Sequence, residues 1–173
     1  MLTLRAYNPA NDDDIAAIAR IYAHHVLHGR ASFETEAPTT GEMRRRLDAL
    51  VETGYPVLVA MLDGILAGYA YGSPFHPRQA YRRTVEDSIY VDHRLPRRGV
   101  GRALLTELLE QLRAAEFQQV MAVIGDSANA GSIELHRALG FRHVGTAHGI
   151  GFKFGEYLDV VYMQLALQQT GDG

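Results

Sequence analysis

The first part of the chain begins with a strand pattern and continues with two helix patterns. The segment 2–7 predicts a short strand, and the acidic run 12–14 that follows suits the positive end of a helix dipole. Apolar residues then recur at helical spacing through Ile15, Ile18 and Tyr22. A second amphipathic helix is predicted to begin near Thr39. This part of the chain therefore reads β-α-α.

The central part of the chain predicts three strands. Two apolar runs, 56–61 and 65–71, flank the dipeptide Asp63-Gly64, which is typical of a tight β-hairpin. A polar segment with proline and arginine, 73–83, interrupts the pattern, and its length suggests a functional loop. The run 85–91 then predicts a third strand.

The last part of the chain alternates helices and strands and ends on two strands. The predicted elements are helices 102–115 and 132–139 and strands 119–124, 141–147 and 159–167, with Gly140 as a helix cap. A connection rich in glycine and aromatic residues separates the last two strands. The order β-α-α-β-β-β-α-β-α-β-β predicts an α/β fold with a mixed sheet and helices on both faces.

Length and composition favour one domain and exclude some classes of protein. A chain of 173 residues with 47% hydrophobic content can fill one core, so we expect a single domain over 1–167 and a flexible tail over 168–173. The net charge of −3 gives no general attraction to nucleic acid or to an anionic membrane. The absence of cysteine excludes disulfides and thiolate metal sites. We expect a cytoplasmic protein.

A glycine-bearing basic turn before a predicted helix is the most informative motif. Gly99 and Gly101 let the backbone approach a bulky anion, and the first helical N–H groups favour a pyrophosphate. Arg97, Arg98 and Arg102 add positive charge. Alone the pattern is weak evidence, and a turn with solvated arginines is the competing interpretation. The absence of Gly-Lys-Ser/Thr excludes a nucleotide P-loop, and a leucine where a dinucleotide fingerprint needs a small residue argues against that site.

Two signatures, in this order, resemble those of the GNAT superfamily of N-acetyltransferases. The loop 96–101 resembles the family's acyl-CoA loop, Gln/Arg-x-x-Gly-x-Gly/Ala. The segment 129–141 resembles its Asn-x-x-Ser-x-x-Leu-Tyr-x-x-x-Gly-Phe, with His136 where a tyrosine often stands. The resemblance implies a GNAT-like single domain that uses acetyl-CoA and no metal.

The likeness narrows to the phosphinothricin and methionine sulfoximine acetyltransferases. It is carried by segments along nearly the whole chain, namely 21–22, 32–36, 54–56, 81–91, 123–125, 135–136 and 151–160. It implies acetyl transfer to the α-amino group of a small amino-acid-like acceptor with a sulfoximine, sulfone or phosphinate end, and a homodimer. Two alternatives stay open: acetylation of peptide or protein N-termini, and a non-catalytic acyl-CoA-binding module.

The resemblance also implies a cofactor site. The expected cofactor-binding residues are Ile89, Tyr90, Val91, Arg97, Arg98, Gly99, Val100, Gly101, Arg102 and Asn129. The backbone of 89–91 is expected to pair with the pantetheine arm like an added strand, with the N–H of Val91 polarising the thioester. Pro96 departs from the family pattern, which has Gln or Arg there, so Arg97 or Arg98 must supply that contact.

Amine acetylation needs a base, and Glu86 is placed by the resemblance where the family has its catalytic glutamate. The competing interpretation is a surface carboxylate paired with Arg82 or Arg83. The neighbouring Asp87 should face the other side of a regular strand. His136 is the second catalytic candidate, either protonating the thiolate or assisting the base, although a packed histidine explains it equally well.

Four residues are candidates for acceptor binding. Phe33 and Tyr81 fall in segments that wall the acceptor pocket in the family, and Arg78 and Lys153 are candidates for holding its anionic group. Each cation is otherwise an ordinary solvated side chain. The histidines at 24, 25 and 28 lack acidic or thiolate partners at recognisable ligand spacing, so we expect a solvated helix edge rather than a metal site.

Overall fold

The computed structural model describes residues 1–167, so the tail predicted over 168–173 lies outside the described residues. A short 3₁₀ helix, Gln79–Tyr81, lies between the third and fourth strands. The principal elements are β1 (Leu2–Ala6), α1 (Asp12–His28), α2 (Thr40–Glu52), β2 (Val57–Leu62), β3 (Ile65–Pro74), β4 (Thr84–Val91), α3 (Val100–Ala114), β5 (Gln119–Gly125), α4 (Ala130–Ala138), β6 (Arg142–Lys153) and β7 (Glu156–Ala166).

The strands form one seven-stranded sheet in the order β1-β2-β3-β4-β5-β7-β6. Neighbouring strands are antiparallel except β4 and β5, which are parallel and joined through α3. Helix α3 packs against β2, β3 and β4, whereas α1 packs against α2 and against β3 and β4. The predicted α/β class, with a mixed sheet and helices on both faces, is confirmed.

Strand β2 shows why both faces of the sheet need a helical layer. Its side chains alternate between two separate cores. Val57 and Val59 belong to the core under α1 and α2, whereas Leu58 and Ala60 belong to the core under α3. All four are buried, so leaving either face open would expose half of this strand to water.

Helix α3 anchors the second core through a leucine stripe. Leu104, Leu105, Leu108 and Leu112 are fully buried, and they recur at the spacing that puts them on one helical face. This packing fixes the first turn of α3, which follows the glycine-bearing loop, against the sheet. Within residues 1–167, no helix combines the length and the apolar character needed to cross a membrane.

The pairing between β4 and β5 stops partway along both strands. It runs from Thr84–Gln119 to Asp87–Ala122. Beyond this point β4 stays paired with β3 as far as Val91–Gly68, and β5 stays paired with β7 as far as Gly125–Val160. The two strands therefore part inside the sheet and leave a gap between their C-terminal halves.

The final hairpin is longer than the sequence pattern predicts. Strand β6 continues to Lys153 and β7 begins at Glu156, so most of the predicted connection 148–158 is strand. Phe154 and Gly155 have φ values of 56° and 75°, as a two-residue turn of a twisted hairpin requires. The alternation is hidden in the sequence because glycines interrupt β6, and glycine carries no strand signal.

Candidate active site

The gap between β4 and β5 opens into a cavity of about 430 Å³. Strand β4 contributes residues 86–90, β5 contributes 122–125, and α4 closes one end with Asn129 and His136. The connection between α1 and α2 contributes residues 31–34 to the remaining wall. The two halves of the sheet and both helical layers therefore meet at this one cavity.

Glu86 stands on the wall of the cavity that faces α1 and α2. Burial, together with the negative charge of Asp87, raises the pKa of its carboxyl to about 7. No cation contributes to this pKa, and within residues 1–167 no ion pair joins Glu86 to Arg82 or Arg83. A carboxyl that titrates near neutrality can accept a proton from an ammonium group and release it again.

Asp87 lies on the opposite face of β4, as strand alternation predicts, and is paired with His136 of α4. Nε2 of His136 lies 2.9 Å from Oδ2 of Asp87, and both side chains are almost fully buried. Nδ1 lies 2.7 Å from the carbonyl oxygen of Ser132. Because a carbonyl oxygen only accepts, Nδ1 carries a proton, and a second proton lies between Nε2 and Oδ2.

The bonds made by both ring nitrogens favour the protonated form of His136. Burial by itself would lower the pKa of His136, but the hydrogen bond and charge of Asp87, together with the bond to Ser132, raise it overall. Oδ1 of Asp87 is buried without a hydrogen-bond partner among the described residues. The pair places one negative and one positive charge beside the cavity, next to Glu86.

A segment that we call the strap, residues 29–34, crosses the end of β5 and forms one wall of the cavity. The hydroxyl groups of Tyr22 and Ser32 are 3.0 Å apart and hydrogen-bonded. Phe33 and Glu34 line the cavity, and Oε1 of Glu34 accepts a hydrogen bond from Nη1 of Arg46 at 2.7 Å. The strap thus connects α1, α2 and the cavity.

The loop before α3 forms a second, adjoining pocket of about 380 Å³. Of the four α-helices in residues 1–167, α3 alone begins without a side chain that caps its first N–H groups. Gly99 precedes it with φ of 77°, and Arg97 also adopts a positive φ. These free N–H groups at the helix N-terminus fit a pyrophosphate.

The predicted cofactor residues divide between the two pockets. Ile89, Tyr90 and Asn129 line the cavity. The adjoining pocket is lined by Val91, Pro96, Arg97, Arg98, Gly99, Val100 and Gly101. Arg102 is exposed on α3 and lines neither pocket. Asn129 also caps α4, because its Oδ1 accepts from the N–H of Ser132 at 3.2 Å.

Of the four predicted acceptor-binding residues, Phe33 lines the cavity and three do not. Arg78 and Tyr81 are exposed on the segment that loops out beyond the ends of β3 and β4. Lys153 is buried, and its ammonium group binds two backbone carbonyls of the strap. The structure thus places Arg78, Tyr81 and Lys153 outside this cavity, and their contact with an acceptor stays a prediction.

Sequence reasoning missed several residues of the cavity. Glu34, Ser32 and Ser88 line it, and Nε2 of His25 donates to the carbonyl oxygen of Val91 at 2.8 Å. A polar residue directly after Phe33 was the available signal for Glu34. The contact of His25 had no local signal, because 66 positions separate it from Val91.

Comparison with known proteins identifies the family. The sequence model of one protein family, the acetyltransferase (GNAT) domain, matches residues 8–162, which is most of the chain. The chain belongs to the GNAT family of acetyltransferases. The phosphinothricin N-acetyltransferase of Alcaligenes faecalis is 47% identical over 161 residues, covering 93% of this chain and 81% of that protein.

Two further relatives are also acetyltransferases. The L-methionine sulfoximine/L-methionine sulfone acetyltransferase of Salmonella typhimurium is 38% identical, over 92% of this chain and 93% of that protein. The crystal structure of a phosphinothricin acetyltransferase from Sinorhizobium meliloti, in complex with acetyl-CoA, superposes with a TM-score of 0.90. That chain is 43% identical, with 95% of this chain and 88% of it covered.

The protein is thus an acetyl-CoA-dependent N-acetyltransferase. Its own geometry fits that co-substrate. The uncapped start of α3 suits the pyrophosphate, and the parted strands leave backbone of β4 free on the side facing β5. An extended pantetheine arm can occupy such a gap as an added strand.

The loop before α3 predicts how acetyl-CoA binding responds to a change at Gly101. A Cβ atom at Gly101 would lie 3.6 Å from the side chain of Val91, which lines the same loop pocket, so a leucine crowds this pocket and Gly101→Leu should abolish binding. Acetyl-CoA at 100 times its Kd should stabilise the wild type by about 2.7 kcal/mol, measured by thermal unfolding, and leave this variant unchanged. Gly41→Leu, on α2, is the matched control and should keep the shift, because an added Cβ there would meet only the Thr39 hydroxyl, at an ordinary contact distance of 3.9 Å. A full shift in Gly101→Leu contradicts this assignment.

The raised pKa of Glu86 predicts a pH-dependent cost in stability. Because its pKa rises from 4.5 to about 7 on folding, the folded chain binds more protons than the unfolded chain between these values. Stability therefore falls as pH rises through this range. Glu86→Gln should melt at a higher temperature than wild type at pH 8 and at the same temperature at pH 4. Glu110→Gln, on the exposed side of α3, should show no such difference. Equal melting of Glu86→Gln and wild type at pH 8 would refute the raised pKa.

Proposed function

We propose that this enzyme transfers the acetyl group of acetyl-CoA to the α-amino group of a small amino-acid-like acceptor. The observation that carries the proposal is a neutral-range carboxyl, Glu86, in a cavity of about 430 Å³ that the strap bounds on one side. That volume suits a small molecule. Relatives named for phosphinothricin and for methionine sulfoximine and sulfone support the same acceptor class.

Glu86 is the proposed general base. An acceptor amine arrives as an ammonium ion and must lose a proton before it attacks the thioester. A base with a pKa of about 7 is half ionised at neutral pH, and it is basic enough to take that proton directly or through a water. Asp87 assists indirectly, because its charge helps to raise the pKa of Glu86.

His136 is proposed to stabilise the departing thiolate. Both ring nitrogens are engaged, by Asp87 and by the carbonyl of Ser132, so the ring presents a fixed positive charge and not a free base. A cation held at the cavity wall favours the charge that develops on sulfur. Delivery of a proton from His136 would first require its bond to Asp87 to break.

Val91 is proposed to polarise the thioester oxygen through its backbone N–H. The β4–β5 pairing ends at Asp87, which supports the availability of this edge of β4 for the co-substrate. His25 holds the carbonyl of Val91 at 2.8 Å and so restricts the orientation of the adjoining peptide. A fixed donor costs no reorganisation when charge develops on the oxygen.

The charges around the cavity favour an acceptor with an uncharged end. Within residues 1–167 neither arginine nor lysine lines the cavity, and the carboxylates of Glu34 and Asp87 are already paired with Arg46 and His136. The cation that a phosphinate meets there is His136, whose charge Asp87 already balances, whereas a sulfoximine or a sulfone needs no cation. A polyamine finds two carboxylates whose charge is already neutralised.

The alternatives are less well supported. A peptide N-terminus would need an open groove, but the strap lies along one side of the cavity. A non-catalytic acyl-CoA-binding module has no use for a carboxyl whose pKa is raised by burial. The homodimer and the cytoplasmic location stay predictions.

Kinetics of Glu86→Gln test the mechanism. Loss of the base should lower turnover by ~10²–10⁴-fold at neutral pH. The deficit should shrink at high pH, where the amine deprotonates unaided. Stabilisation by acetyl-CoA should persist in the variant, as a control for an intact co-substrate site. Near-normal turnover at neutral pH would place the base elsewhere.

An acceptor panel tests the substrate class. Thiol release should be followed with L-methionine sulfoximine, L-methionine sulfone, phosphinothricin, methionine, a short peptide and spermidine. The sulfoximine and the sulfone should have the highest kcat/KM, with the peptide and spermidine at least about tenfold lower, which corresponds to about 1.4 kcal/mol. A peptide or spermidine as the best acceptor refutes the proposed class.

A further inference from the structure

Lys153 is the only lysine in the chain, although lysine and arginine together number 17. It lies at the end of β6 and is 4% exposed, whereas lysine is among the residue types most rarely buried. All the other members of this set of 17 basic residues are arginines. The site at 153 thus combines an unusual residue choice for this chain with an unusual location for that residue.

The ammonium group of Lys153 is bound to the strap. Nζ donates to the carbonyl oxygen of Gly29 at 2.8 Å and to that of Ser32 at 2.7 Å. The ring of Phe154 lies 5.0 Å from the same nitrogen. Burial lowers the pKa of Lys153, which shows that removal from water is costly here. Hydrogen bonds to a charged donor offset such a cost.

The strap lies close against the sheet beside Lys153. A Cβ atom at Gly151, two residues away on β6, would lie 2.2 Å from the Phe33 ring, and one at Gly125 would lie 2.7 Å from the carbonyl oxygen of Arg30. Both glycines therefore allow an approach that no other residue type permits. The close packing fixes the depth of the strap, and Lys153 holds it at Gly29 and Ser32.

The other link between strap and hairpin is at the surface. Nη2 of Arg30 lies 2.7 Å from Oε2 of Glu156, and the two side chains are 46% and 54% exposed. Exposed pairs of this kind contribute little to stability. The buried bonds of Lys153 are stronger because water does not compete for them.

We infer that Lys153 is a positioning residue that latches the strap and thereby sets the acceptor wall formed by Ser32 and Phe33. It does not touch the reacting atoms. The inference rests on the proposed function, because the wall that it sets is the acceptor side of the cavity. Its effect falls on acceptor binding and leaves the loop before α3, where the co-substrate binds, unaffected.

The geometry of the two carbonyls explains why residue 153 is a lysine and not an arginine. They belong to residues three positions apart and converge on one nitrogen. An ammonium is compact and can rotate its three donors towards both oxygens. A planar guanidinium is larger and has fixed donor directions, so arginine fits the same space poorly.

The first test uses the fact that the chain has one lysine. Reductive methylation with formaldehyde and a borohydride, followed by mass spectrometry, reports on one side-chain amine besides the N-terminus. In the folded wild type the modification of Lys153 should be at least about tenfold slower than in the urea-unfolded chain. Equal rates would overturn the latch, whatever the enzyme acetylates.

The second test compares three variants. Lys153→Met removes both bonds with little change in length, Lys153→Arg keeps the charge, and Glu156→Gln removes only the surface link to the same strap. Lys153→Met should raise the KM for methionine sulfoximine about tenfold or more, with KM for acetyl-CoA within about twofold of wild type. Lys153→Arg should recover part of the loss, and Glu156→Gln should behave as wild type.

The outcomes separate the latch from a merely structural role. Lys153→Met could instead lower the yield of folded protein that acetyl-CoA stabilises. If the molecules that do fold then have an unchanged KM for the acceptor, the positioning role is overturned. An equal rise of both KM values would also overturn it. Failure of the wild type to acetylate any amino acid would refute the proposed function instead, and the methylation rate still decides whether the latch exists.

Discussion

The separation of β4 from β5 is the constraint on which the rest of the structure depends. Parallel strands normally stay paired along their length, but here the ladder ends at Asp87–Ala122. Strand β4 is then held by β3 and β5 by β7, so neither strand loses its order where the two part. The gap supplies unpaired backbone for an extended co-substrate and a cavity at the same place. Helix α3, packed through its leucine stripe, aims its uncapped first turn at one end of that gap.

Charge around the cavity is balanced everywhere except at the proposed base. The carboxylates of Asp87 and Glu34 are paired with His136 and Arg46. Glu86 has no such partner, and burial raises the pKa of its carboxyl to about 7. Glu86 is thus the one carboxyl of these three that is left unpaired, as its proposed role as the base requires. The stability given up at Glu86 is a cost of that reactivity.

The two ends of the site are built by different physical means. The co-substrate end uses local backbone geometry, namely a positive φ at Gly99 and free N–H groups at a helix start. The acceptor end uses long-range contacts, since the strap is held by Lys153 from a hairpin more than a hundred residues away. Local geometry of this kind leaves a signature in a few consecutive residues, whereas a wall held by distant contacts leaves none.

The sequence by itself determined the order of elements, the α/β class, the loop before α3 and Glu86 as the candidate base. These features depend on hydrophobic period, on glycine at fixed offsets and on local motifs, all of which act over a few residues. Only the tertiary structure decided that Asp87 pairs with His136, that Arg78 and Tyr81 stay outside the cavity, and that Lys153 binds the strap. Each of these depends on contacts between segments far apart in the chain, and no local pattern encodes which distant partner a charged side chain meets.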